Sequence, residues 1–271
     1  MAEAVEVKGF KIPLVGLGTW TLRGRDCVRL VAEAIRVGYR HIDSAQMYGN
    51  EFDVGEGVRA SGLRAEVMVT TKIQPTMLAP NDVERSAKDS LRQLGLDAID
   101  LLLIHWPNPR VPLADTLGAM LKLKQEGVTR AIGVSNFTVR LLDEATAIVP
   151  DLVCNQVECH PFLNQDKVLA ACRQHGMAMV AYSPVARGAA PGNRVLERIG
   201  KAHGKSAAQI SLRYLTQQGI VVIPRTRRFD RLKENIDIFD FELSDTEMTE
   251  IHSLSSRNDR IVDWTWSPQW D

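Results

Sequence analysis

The stretch Gly38-Tyr-Arg-His-Ile-Asp-Ser-Ala-Gln-Met-Tyr-Gly-Asn-Glu51 decides how the chain is read. A short run ending at Ile42 delivers Asp43, and Tyr48 follows on a loop closed by Gly49-Asn50. Lys72 and His105 each end an apolar run of their own, and Ser135-Asn136 ends another. A carboxylate, a phenol, an amine and an imidazole, all at strand ends, suit acid chemistry on a polarised carbonyl.

Outward from this stretch, short apolar runs alternate with longer amphipathic ones. The pattern predicts strands over 14–17, 39–43, 67–72, 99–105, 130–134, 152–157, 177–182 and 220–223. Helical patterns fall near 28–37, 52–61, 82–94, 113–125, 139–148, 167–175, 194–203 with 207–217, and from Phe229 onward. Eight such units predict an α/β chain, a (β/α)8 TIM barrel occupying residues 1–271 as one domain. Val5 to Pro13 alternates around Gly9, which predicts an N-terminal β-hairpin. A helical stretch over 243–254 and a C-terminal tail with Trp264, Trp266 and Trp270, expected over the barrel mouth, follow the last unit.

In such a barrel the chemistry sits where strands enter the following loops. Asp43, Lys72, His105, Asn136, Gln156, Tyr182 and Arg225 all fall at or just past predicted strand ends. Alternation puts Met68, Thr70 and Lys72 on one face, as an inward lysine requires. Taken singly, each of these residues has an ordinary structural explanation; their shared location is what points to a site.

Composition narrows the partners. With 33 basic and 33 acidic residues the chain has no global attraction for nucleic acid or an anionic membrane. No apolar run approaches the roughly 20 residues needed to span a bilayer, and the N-terminus does not read as a signal peptide. Four scattered cysteines without a C-x-x-C suggest a reducing, cytoplasmic setting. Cys154, Cys159 and His160 fit no standard zinc spacing, so no metal is expected. Gly16-Leu17-Gly18 lacks the third glycine of G-x-G-x-x-G, which argues against a Rossmann site.

The motifs GYRHIDSA and YGNE, the strand-end Lys72, LLLIHWP (101–107), IGVSNF (132–137), NQVECHP (155–161), YSP and ARG (182–188), and IPRT and LKEN (223–235) together resemble the aldo-keto reductases. The match runs from about Lys11 to Phe241, and the short length resembles bacterial members acting on diketo-sugar acids and small aldehydes. The resemblance implies a catalytic set of Tyr48, Asp43, Lys72 and His105, with NADPH/NADP+ across the barrel mouth. It assigns Ser135, Asn136 and Gln156 to the nicotinamide carboxamide, Tyr182 to the nicotinamide face, and Ser183 to Arg187 to the pyrophosphate. Thr226 and Asn235 join the cofactor contacts, and Trp20 and Trp106 wall the substrate pocket. Gln74 stands where relatives often carry an aromatic residue, which should widen or polarise that pocket.

The chemistry is consistent with these residue types. Carbonyl reduction leaves negative charge on oxygen, which an acid must quench. Tyr48 is the donor; a free phenol has a pKa of about 10. A lysine ammonium about 4 Å away would favour the phenolate by roughly 4 kcal/mol, which predicts a Tyr48 pKa near neutrality. Asp43 keeps Lys72 charged, and a neutral His105 orients the carbonyl oxygen. Arg225, Arg227, Arg228 and Arg231 gather where the last helix begins, where cations oppose the dipole. An adenosine 2′-phosphate makes sense of them and favours NADP(H). The resulting expectation is an NADPH-dependent reductase of aldehydes and ketones, small or sugar-derived, working as a monomer on a small-molecule carbonyl. The alternatives are an NADP(H)-binding regulatory barrel without turnover and a Schiff-base lyase using Lys72.

Overall fold

The computed structural model describes residues 3–271. Strands β1 (Ala4–Val7) and β2 (Phe10–Pro13) form the expected hairpin, with Val5 opposite Ile12 and Val7 opposite Phe10. Its turn places Lys8 at φ 50° and Gly9 at φ 75°. Two positive φ values match the right-handed twist of the flanking strands, and Gly9 adopts its value without a Cβ clash. The hairpin plugs the lower end of the barrel, packing Val5, Val7 and Phe10 against Ile12, Leu14, Met68, Leu101 and Val180.

The barrel strands are β3 (Leu17–Gly18), β4 (His41–Asp43), β5 (Met68–Ile73), β6 (Ile99–Ile104), β7 (Thr129–Ser135), β8 (Cys154–Glu158), β9 (Ala178–Tyr182) and β10 (Val221–Val222). They pair in sequence order, and all are parallel. The first strand differs from expectation because its residues serve two partners. Leu17 and Gly18 pair with Ile42 and Asp43 of β4. The preceding residues turn to β10: the Gly16 amide donates to the Val222 carbonyl and the Val222 amide to the Leu14 carbonyl, both at 2.8 Å. A bridge between Val15 and Val222 thereby joins the last strand to the first. Gly18 is required at this seam, since a Cβ there would lie 2.8 Å from the Ile223 carbonyl oxygen.

Helices α1 (Gly24–Val37), α2 (Glu51–Ser61), α3 (Pro80–Leu94), α4 (Leu113–Gln125), α5 (Val139–Ile148), α6 (Asp166–Gln174), α7 (Arg194–His203), α8 (Ala207–Thr216) and α9 (Phe229–Ile236) fill the outer layer. Their buried stripes meet the outward parity of the strands, Val69, Ile73, Leu102, Ile104, Ile132 and Val134. The inward parity fills the interior. On β5 this division sends Lys72 inward, two residues beyond Thr70, which pairs in register with Asp43. Helix α10 (Asp245–Ser253) opens with a reciprocal Ser244–Glu247 capping box. The tail then crosses the mouth and ends with the Asp271 carboxylate accepting from the Val139 amide at 2.9 Å.

Candidate active site

Four strand ends converge at the mouth. The Lys72 ammonium donates to Asp43 Oδ1 at 2.6 Å, to the Ser44 carbonyl at 2.7 Å and to the Tyr48 hydroxyl at 3.3 Å. All three of its N–H donors are thus engaged, on a side chain that is 0% exposed. The His105 ring meets the Tyr48 ring edge-on, with centroids 5.6 Å apart. Tyr48 sits on a single 3-10 turn, Gln46–Tyr48, closed by Gly49 at φ 62°. Asn50 fixes that turn: its side chain accepts from Ser44 Oγ at 2.8 Å and donates to the carbonyls of Thr19 and Leu22, both at 2.9 Å.

The charges behave differently from the simple pairing of an ammonium with a phenol. Burial, reinforced by the Asp43 carboxylate, pushes the Tyr48 phenol well above its ordinary value. The expectation of a phenol near neutrality is therefore overturned. It left out the burial of the phenol, the larger cause, and treated Lys72 as a lone charge although the Asp43 carboxylate lies 2.6 Å from it. Burial also lowers the Lys72 amine, with Asp43 opposing. His105 is held well below its ordinary value, first by burial and then by Lys72, so its imidazole is neutral at physiological pH. Its Nδ1 is enclosed without a partner, which leaves Nε2 as the nitrogen able to meet a ligand.

The residues expected around a carboxamide form one network. Gln156 donates to Asp43 Oδ2 at 2.7 Å, and its backbone carbonyl accepts from Ser135 Oγ at 2.7 Å. Asn136 donates to the His105 carbonyl at 2.9 Å and accepts from the Tyr182 hydroxyl at 2.8 Å. It does so at φ 63°, a conformation asparagine tolerates better than most residues. Beyond Tyr182, Ser183, Ala186 and Arg187 also carry positive φ, so this loop holds its shape at some local cost.

The arginines divide into two kinds. Arg228 pairs with Asp230, and Arg231 pairs with Glu234 at 2.5 Å. Asn235 is buried on α9. Arg225 and Arg227 have no carboxylate partner among the described residues, and both donate to Thr21 Oγ1, at 2.5 and 3.4 Å. Burial and the neighbouring guanidiniums of Arg227 and Arg187 depress Arg225. Two crowded cations with a third close by fit an anion such as a dinucleotide phosphate, which would relieve their mutual repulsion. The hydroxyl of Thr226 instead accepts from the Arg228 amide at 3.0 Å.

The aldo/keto reductase family model matches residues 14–256. The chain is a member of the aldo/keto reductase family. A methylglyoxal reductase, DkgB, of Escherichia coli O157:H7 is 38% identical over 266 residues, covering 96% of this chain and 99% of the relative. Among solved structures, a putative 2,5-diketo-D-gluconic acid reductase B superposes with a TM-score of 0.97 at 41% identity, over 100% of this chain and 98% of that one. A Bombyx mori aldo-keto reductase in complex with NADP gives 0.89 at 35% identity, over 97% and 95%. Membership makes this chain an NADP-dependent oxidoreductase with the family's (β/α)8 fold.

In this reductase the tail packs against Trp106, the residue after His105. Trp106 is buried, and the rings of Trp266 and Trp270 meet it edge-on at 5.1 and 6.0 Å. Trp20 is exposed, with the Arg187 guanidinium 4.9 Å from its ring centroid. Gln74 lies just beyond β5, its backbone amide donating to Gln46 Oε1 at 3.0 Å. Sequence reasoning passed over Glu158 as a separate residue. Its carboxylate accepts from the amides of Ile261 and Val262 at 2.6 and 2.7 Å and so pins the tail to the end of β8. His160 is its third partner, at 3.1 Å. A buried acid at an inward strand end was the one available signal.

Proposed function

We propose that this reductase converts aldehydes and ketones to alcohols with Tyr48 as general acid. The observation that carries the reading is the direction of one hydrogen bond. Lys72 donates to the Tyr48 oxygen, so the phenol's own proton is free to point elsewhere. When bound, NADPH supplies the hydride that reaches the carbonyl carbon. His105 Nε2 donates to the carbonyl oxygen, and Tyr48 hands its proton to that oxygen as it becomes an alkoxide. The raised phenol suits this work. Tyr48 remains protonated across the physiological range, so it still holds a proton to give when negative charge develops on the carbonyl oxygen. Lys72 then stabilises the phenolate just formed, a preorganised donor already in place.

The anion site is assigned to Arg225 and Arg227, which lack acidic partners among the described residues, with Arg228 and Arg231 contributing only if they leave theirs. Ser135, Asn136 and Gln156 would hold the carboxamide, and Tyr182 the nicotinamide face. The solved relative titled a diketo-gluconic acid reductase and the methylglyoxal reductase of E. coli support small or sugar-derived dicarbonyls as substrates. The four cysteines are buried and unpaired, in keeping with a reducing compartment, and we assign the working unit as a cytoplasmic monomer. A Lys72 Schiff base is disfavoured, because a nucleophilic amine needs the lone pair that this thrice-donating ammonium lacks. NADPH oxidation with methylglyoxal and 4-nitrobenzaldehyde tests the reading. Turnover lost in Tyr48→Phe with NADPH binding retained supports it; undiminished turnover refutes it.

A further inference from the structure

A buried acid behind Lys72 has no part in the chemistry above. Glu51 opens α2, just past the turn that carries Tyr48, and is 9% exposed. No cation among the described residues lies within ion-pair distance of it, and the Lys72 ammonium is engaged by Asp43 instead. Its partner is a hydroxyl: Thr71 Oγ1 donates to Glu51 Oε1 at 2.5 Å. A carboxylate taken out of water without a contacting cation is costly, and folds seldom keep one idle.

The position of Glu51 says what it acts on. Thr71 precedes Lys72 on β5, and alternation turns its side chain to the outer face. Glu51 therefore meets β5 from outside the barrel, while Asp43 meets Lys72 from within. On the other flank of the tyrosine turn, Gln46 donates to Ser90 Oγ and accepts from the Gln74 amide, both at 3.0 Å. The turn is thus fastened on both sides of Tyr48, and of Gln46, Asn50 and Glu51 only the last can carry a charge.

The titratable groups around Lys72 are His41 and Asp43 on β4, Tyr48, Glu51 on α2, His105 and Cys154 on β8. Burial pushes the Tyr48 phenol and the Cys154 thiol up, the His41 imidazole down to about 4 and the His105 imidazole well down. All four are neutral at physiological pH, which leaves the two carboxylates to face the one ammonium. Burial raises the Glu51 carboxyl, while hydrogen bonds from Thr71 and Ser90 and the charge of Lys72 oppose that rise. Asp43 divides its oxygens between Lys72 and Gln156. An acid placed beyond contact range supports the ammonium differently, because it takes no N–H away from Tyr48.

We propose that Glu51 is a positioning residue for the reduction: its carboxylate, fastened by Thr71 behind β5, keeps the Lys72 ammonium charged while leaving its donors to Asp43, Ser44 and Tyr48. The inference rests on the carbonyl-reductase reading and adds a second acid to that site.

The test follows the Lys72 ammonium by isotope-edited NMR of the lysine ε-carbons, in the wild type, Glu51→Gln and Glu51→Asp, with Lys72→Met identifying the signal. Glu51→Gln keeps an acceptor for Thr71 and removes the charge. Its Lys72 midpoint should fall by about one pH unit, roughly the effect of a unit charge about 10 Å away at an effective dielectric near 20. Glu51→Asp should recover part of that fall. An unchanged midpoint in Glu51→Gln, or equal falls in both variants, overturns the proposal. Should Glu51→Gln fail to fold, the wild type decides: the Glu51 carboxyl signal should show a second inflection at the Lys72 midpoint, and none there overturns it. With NADPH and methylglyoxal, the upper limb of the kcat/KM profile should move down with the amine in Glu51→Gln, NADPH binding staying within about twofold. If no carbonyl turns over in the wild type, the reductase reading fails by itself, and the NMR midpoints still decide the role of Glu51.

Discussion

Replacing Asp43 by asparagine keeps the shape of the Lys72 site and removes one charge. Asp43 and Lys72 are 1% and 0% exposed and 2.6 Å apart. In the variant the ammonium keeps the Ser44 carbonyl and the Tyr48 hydroxyl, but no counter-charge in contact. Breaking a buried pair from one side costs about 3–5 kcal/mol. For a chain of this size that corresponds to a Tm lower by roughly 10 °C.

The pH dependence gives the sharper check. Burial already lowers the Lys72 amine, and Asp43 is the largest influence holding it up. Without Asp43 the folded-state value drops further, while an unfolded lysine stays at about 10.4. Between those values the unfolded chain holds a proton that the folded chain has shed. Stability then rises with pH, by up to about 1.4 kcal/mol per unit, so the deficit of Asp43→Asn shrinks from neutral pH towards pH 9. Urea unfolding of both proteins without cofactor at pH 7, 8 and 9 measures it, provided the m values agree. A variant matching the wild type in both midpoint and slope would refute the buried pair as the centre of the site.

Tyr48→Phe should lower kcat by at least about a hundredfold, with NADPH binding, read by fluorescence, within about twofold. Because the Tyr48 phenol is pushed up and the His105 imidazole well down, neither should titrate between pH 6.5 and 9, and kcat/KM for carbonyl reduction should be flat there; a basic limb near pH 7 would restore a neutral-range phenol. Arg225→Ala with Arg227→Ala should weaken NADPH at least about tenfold more than NADH, while Arg231→Ala, whose guanidinium already faces Glu234, should change the ratio little. Glu158→Ala should free the tail, seen as faster amide exchange at Ile261 and Val262 and a raised KM without loss of NADPH binding.

Much of this was legible because alternation along a barrel strand is a direct readout of side-chain direction. The run from Met68 to Lys72 announced an inward lysine, and the strand ends at Asp43, His105 and Gln156 fell where chemistry collects. The arginine cluster was half legible. Asp230 lies two residues from Arg228 and Glu234 three from Arg231, and that spacing alone foreshadowed local pairs. The Glu158 clamp was hidden, because its amide partners stand 103 and 104 residues further on and backbone amides have no sequence signature.

The Tyr48 result changes how the four groups divide the work. A lone ammonium would have acidified the phenol before substrate arrived, at the cost of leaving part of it deprotonated and idle. The paired ammonium does not. Burial, with Asp43 beside Lys72 adding to it, keeps Tyr48 a full phenol. In the proposed mechanism the Lys72 N–H at 3.3 Å faces a true anion only when the phenol's proton leaves, and a charge-assisted hydrogen bond replaces a weak one. The stabilisation is spent on the charge that forms during reaction rather than on the resting state, which is the condition for raising kcat. Gln156 extends the same logic to the cofactor side. By binding Asp43 Oδ2 while its backbone carbonyl anchors Ser135, it ties the orientation of the counter-ion to the residues proposed to hold the carboxamide, so that ordering one half of the mouth would order the other.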